Sequence, residues 1–131
     1  MHTLTLPLPP SINRRFKPTA HNPYTLTESV RTFKAHVALL ALEHDLTPLT
    51  GKLFAQVDLF RPADRGDADN YTKVLFDSLE GILYHKDAQI KRYVVSVWVD
   101  KTNPRTIITV CEYTPTLYHL PIAAHLPPAS P

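Results

Sequence analysis

The sequence predicts an α/β chain, an α+β sandwich in which two helices pack on a small mixed or antiparallel sheet in the order β-α-β-α-β-β. Three observations carry this. Val30, Phe33, Val37, Leu40 and Ala41 recur at helical spacing; Leu53, Ala55, Val57 and Leu59 alternate with Gln56 and Asp58; and two runs rich in Val, Ile and aromatics, 90–100 and 105–113, flank Thr102-Asn103-Pro104. With 131 residues, 44% apolar and 20% charged, the chain can bury one core. The expected organisation is therefore one domain over 1–113 and a tail over 114–131.

Thr3 to Leu8 alternates as a first strand, which Pro9-Pro10 ends. Residues 9–24 read as an irregular loop. Thr25 and Glu28 have the spacing of a capping box, so a helix is expected over about 27–44, broken by Thr47-Pro48. The alternating run 53–59 reads as a half-buried strand that delivers the loop at Arg61 to Gly66. A second helix follows over 69–80, with Asp69 capping its first turn and Gly81 stopping it. The runs 90–100 and 105–113 read as a hairpin. Beyond them, prolines at 115, 121, 127, 128 and 131 forbid a regular helix or central strand, and an extended tail is expected.

The stretch richest in chemistry is Asp67-Ala68-Asp69-Asn70, with Lys73 one helical turn on and Asp87-Ala88-Gln89-Ile90 beyond. In an extended segment residues two apart point to the same side, so Asp67 and Asp69 can reach one cation. Mg²⁺ fits such a pair because it takes hard oxygen ligands at roughly 2.1 Å, one or two of them carboxylates, and keeps waters for exchange with phosphate. Residues 69 and 73 share a helix face. A lysine there either pairs with an aspartate or meets the charge that builds on phosphorus during hydrolysis. Read this way, the stretch has the chemistry of metal-assisted phosphodiester cleavage. Alone, D-x-D-N also reads as a helix cap with solvated loop carboxylates. Asp77 and Glu80, further down the helix, read as solvated or ion-paired surface groups. His85, two residues from Asp87, reads as a loop residue or a general base.

The segments "LPLPPSIN" at Leu6 to Asn13 and "DADNYTKVLFDSLEGILYHKDAQI" at Asp67 to Ile90 resemble the RusA family of Holliday junction resolvases, and the resemblance spans residues 4–100. Its pattern is D-x-D-N-x3-K, a helix ending near a glycine, and D-x-Q-I before a strand. The resemblance implies that Asp67, Asp69 and Asp87 are metal carboxylates and Lys73 the catalytic lysine. It implies a Mg²⁺-dependent endonuclease of bacterial or phage origin acting on branched DNA, and a homodimer, whose two active sites suit the two opposed strands of a four-way junction. The family often carries an acid just before the last aspartate. Here that residue is Lys86.

The net charge of +2 is modest for a DNA-binding protein, but the acids gather near the candidate site and leave a more basic remainder. Arg14, Arg15 and Lys17 surround Phe16, an arrangement suited to phosphate contact and to stacking on an unpaired base. Arg61, Arg65, Lys86, Lys91 and Arg92 flank the carboxylates and are further candidate DNA contacts. Cys111 is the single cysteine, so no internal disulfide forms, and the seven histidines lack a zinc-ligand spacing. No apolar run is long enough to span a membrane, and no charged start precedes an apolar stretch, so the expected location is the cytoplasm. Two readings of other classes stand beside the nuclease: a non-catalytic branched-DNA binding protein of the same fold, motivated by Lys86, and a carboxylate acid–base enzyme acting on a sugar, in which Lys73 and the basic loop have no work.

Overall fold

The computed structural model describes residues 1–11, 16–17, 19–21, 25–64 and 69–114, with the backbone alone at 16, 17, 25, 26 and 69. The tail expected over 114–131 lies outside them beyond residue 114. Strands β1 (His2–Leu6), β2 (Phe16–Lys17) and β3 (Thr25–Leu26) precede helix α1 (Glu28–Glu43); strand β4 (Leu53–Arg61), helix α2 (Asp69–Ser78), a single 3₁₀ turn (Asp87–Gln89), β5 (Ile90–Val99) and β6 (Arg105–Glu112) follow. The mixed sheet runs β1-β6-β4-β5, with β4 parallel to β5 and antiparallel to β6, while β2 and β3 pair separately. Two helices on a small mixed sheet is the predicted class. Among the described residues no helix is long and apolar enough to cross a membrane.

Strand β4 is the centre of the fold. Leu53, Ala55, Val57 and Leu59 point to the helices and join Leu4, Leu6, Phe33, Val37, Leu75, Leu79, Ile108 and Val110 in one core. Each buried Val, Leu, Ile or Phe side chain among them contributes roughly 1.5–3 kcal/mol by leaving water. The other face is buried as well, which corrects the half-buried strand. Asp58 is 2% exposed and accepts a hydrogen bond from Trp98 Nε1 at 2.9 Å. Phe60 stacks on Trp98 with ring centroids 6.5 Å apart, and the Arg105 guanidinium lies 4.0 Å from the centre of the Phe60 ring.

A strand buried on both faces sits inside a sheet with partners on both edges, and β5 and β6 are accordingly not the expected hairpin: β4 lies between them. The link 100–104 crosses the end of β4, where Asp100 N donates to Arg61 O at 2.7 Å. Two strand spacings are about 10 Å, within reach of five extended residues at up to ~3.6 Å each. Asp100 also binds the link together, accepting from Thr102 N and Asn103 N and pairing with Arg105 at 2.8 Å.

The start of α1 departs from the capping box too. Thr25 is spent in β3, and Thr27 is the N-cap without a side-chain cap bond. The helix stops before Thr47-Pro48: Asp45 takes φ 51°, Asp45 N donates to Leu42 O and Leu46 N to Ala41 O, the Schellman pattern with an aspartate in the left-handed position. Helix α2 ends at Ser78, short of the expected 80, and Gly81 lies in the turn beyond it instead of at the helix stop. Gly81 has φ 78°, a conformation that costs a residue with a Cβ, and its N–H donates to Tyr84 O at 2.6 Å.

Candidate active site

The parallel pairing of β4 with β5 requires a crossover, and α2 with the turn after it supplies one. The crossover sets the site. Val74, Leu75 and Phe76 bury the inner side of α2, leaving Lys73 and Asp77, one turn apart, on its outer side. The chain then turns at Gly81, and Tyr84, buried beneath the site, donates its hydroxyl to Phe76 O at 2.6 Å. Burial, with Asp87, Glu80 and Asp77 nearby, pushes the Tyr84 phenol far above its ordinary value, so it remains a neutral donor.

This fold-back brings Asp87 to α2. Lys73 Nζ lies 3.0 Å from Asp77 Oδ1 and 3.6 Å from Asp87 Oδ2. Asp77, Glu80 and Asp87 each present a carboxylate oxygen within 4.8 Å of the others. Glu80 Oε1 accepts the Asp87 backbone N–H at 2.9 Å. The hydrogen bond to Asp77, opposed by partial desolvation and reinforced by the charges of Asp77 and Asp87, holds the Lys73 pKa above its ordinary 10.5. The lysine is therefore a fixed positive charge at neutral pH, and hard carboxylate oxygens spaced in this way suit a small divalent cation.

Gln89 fixes the Asp87 turn with every hydrogen-bonding position of its amide. Its Oε1 accepts His85 N and Lys86 N at 2.8 and 2.9 Å, while Nε2 donates to Leu49 O and Gly51 O, both at 3.0 Å. The glutamine of D-x-Q-I thus ties the turn to the loop that enters β4.

Of the residues singled out in the sequence, Lys73 and Asp87 are brought together. Asp69 opens α2 with its backbone described, and Asp67 lies outside the described residues. Arg14, Arg15 and Arg65 also lie outside them; Phe16 and Lys17 form β2, with backbone alone described. Lys86 and Lys91 are exposed and Arg92 half-buried. Arg61 differs from its expectation as a phosphate contact: it is 4% exposed and pairs with Asp64 at 2.9 Å, because β4 carries it inward and its charge is met at the strand end. Asp77 and Glu80, expected as solvated or ion-paired surface groups, lie beside Asp87: Asp77 is ion-paired, to Lys73, and Glu80 accepts the Asp87 N–H. The i,i+4 spacing of Lys73 and Asp77 signals the first; Glu80 is legible only once the turn at Gly81 is closed.

Comparison with the curated proteins gives no match. A family model described as Endodeoxyribonuclease RusA matches residues 7–111, most of the chain, and the match includes Lys73, Asp77, Glu80, Asp87 and Gln89. With that match and the carboxylate–lysine cluster built on the β4–α2–β5 crossover, the chain belongs to the RusA family of endodeoxyribonucleases.

Proposed function

We propose that this protein resolves four-way DNA junctions by paired nicks through Mg²⁺-assisted phosphodiester hydrolysis, acting as a homodimer in recombination and repair in the cytoplasm of a bacterial or phage-infected cell. The observation that carries the reading is the meeting of Lys73 with Asp77 and Asp87 at 3.0 and 3.6 Å beside Glu80. Asp67, Asp69 and Asp87 would hold the metal, with Asp67 and Asp69 supplied from the chain entering α2. When bound, Mg²⁺ supplies Lewis-acid polarisation of a phosphoryl oxygen and lowers the pKa of water. Lys73, held protonated, faces the charge that develops on the phosphoryl oxygens and stabilises it. Asp77 aims the Lys73 ammonium, and Glu80 fixes the backbone of Asp87. Residues 1–113 would form the nuclease domain and 114–131 an appended tail.

The second reading, a junction binder of this fold without efficient cleavage, is favoured by Lys86 standing where the family often has an acid. An end-labelled immobile junction and a matched linear duplex, each with Mg²⁺ and with EDTA, separate the two. The resolvase nicks the junction alone and only with Mg²⁺. A binder holds the junction in EDTA and leaves it whole when Mg²⁺ is added.

A further inference from the structure

A shallow cleft of about 440 Å³ opens beside the Asp87 turn, between the loop that enters β4 and the start of β5. Lys52, His85, Lys86 and Lys91 line it, with Gly51 and Gln89 between them, and no carboxylate is among its described lining residues. Three separate segments bring these cations together. The parallel register sets Leu53 opposite Ile90, so Lys52 and Lys91, each one residue away, come to the same end of the sheet. Lys86 arrives on the turn. The cleft is also braced, because the four hydrogen bonds of Gln89 tie the loop at Leu49 and Gly51, which leads into one wall, to His85 and Lys86 on the other.

We propose that this cleft is a binding site for the phosphodiester backbone of a duplex arm next to the cleaved strand, with Lys52, Lys86 and Lys91 as its phosphate contacts. The inference rests on the DNA-cutting reading above. Three ammonium groups in a cleft with no carboxylate among its described lining residues gather polyanion, and lysines act as point charges that neutralise phosphate without reading base edges. The site is continuous with the candidate active site, since Lys86 and Ala88 flank Asp87 in the chain. It also gives Lys86 a role: this chain carries a phosphate contact there.

The test is junction binding in EDTA as a function of salt, for wild type, Lys52→Ala, Lys52→Arg, Lys91→Ala and, as a control from the far end of the sheet, Lys101→Ala. Each phosphate contact contributes about 0.9 to the slope of log affinity against log salt. Lys52→Ala and Lys91→Ala should each flatten the slope by about that amount, which is a roughly 3.5-fold smaller loss of affinity between about 50 and 200 mM salt. Lys52→Arg should keep the wild-type slope, and Lys101→Ala should leave it unchanged. If wild type binds and cuts the junction while Lys52→Ala and Lys91→Ala have the wild-type slope, the cleft proposal is wrong and the nuclease reading stands. If wild type neither binds nor cuts the junction, both fall.

Discussion

Lys73 Nζ and Asp87 Oδ2 lie 3.6 Å apart although a helix turn, a turn at Gly81 and a loop separate them in the chain. The contact depends on the crossover that makes β4 and β5 parallel, so the topology of the sheet and the chemistry of the site have one cause.

Lys73 is expected to act on the transition state and not on binding. Lys73→Gln removes the charge and keeps a polar side chain of similar reach; single-turnover cleavage should fall by roughly 10²- to 10³-fold, the loss typical of a transition-state donor. Junction affinity in EDTA should change far less. The raised pKa of Lys73 also has a sign. Its pairing with Asp77 and Asp87 is fully present below the ordinary 10.5 and lost only as pH rises through the higher folded value, so a pH–rate profile should show no falling limb from this group between about pH 7 and 9.

Glu80 is a positioning residue if its work is to accept the Asp87 N–H. Glu80→Gln keeps a carbonyl oxygen for that bond and should cleave near the wild-type rate. Glu80→Ala leaves the amide without its acceptor, a loss of about 1–1.5 kcal/mol and hence roughly tenfold in rate at limiting Mg²⁺. Equal losses in both variants, measured over a Mg²⁺ titration, would show that the charge itself is needed.

Gln89→Glu changes one atom of the side chain and turns two donated hydrogen bonds into repulsions with Leu49 O and Gly51 O. The expected result is faster hydrogen exchange at His85, Lys86 and Asp87 and a several-fold rise in the Mg²⁺ concentration for half-maximal cleavage. Unchanged exchange at these amides would contradict the bracing role.

Tyr84 holds the floor of the turn through one buried bond to Phe76 O. Tyr84→Phe removes it with little change of volume and should cost about 1–3 kcal/mol in urea unfolding, since the carbonyl loses a buried partner. Leu75→Ala, which empties part of the core between α2 and β4, should cost about 2–5 kcal/mol in the same assay.

The parts of this fold visible in the sequence are those set by local pattern. The periodicity of Val30, Phe33 and Val37, the glycine at 81 and the β-branched runs of β5 and β6 are local, and each element formed. Strand order is not local: the 100–104 link reads as a hairpin turn, yet it spans β4, a strand buried on its second face at Phe54, Asp58 and Phe60 as well as on its core side. Likewise Thr25 and Glu28 match a cap by spacing, yet pairing of Thr25 with Lys17 takes that residue first. At the site, Lys73 and Asp87 were legible from the D-x-D-N-x3-K and D-x-Q-I pattern. Glu80 and the clamp by Gln89 were not, because both depend on how the chain closes after Gly81 and on contacts with the distant loop at Leu49 and Gly51.

The most direct test of the central claim is cleavage of an end-labelled four-way junction by Asp87→Asn beside wild type, across a Mg²⁺ titration, with junction binding measured in EDTA. The account predicts paired Mg²⁺-dependent nicks by wild type and at least a hundredfold slower cleavage by the variant, the order of loss expected when a transition-state contact is removed, with binding retained. Cleavage by Asp87→Asn at the wild-type rate would contradict it.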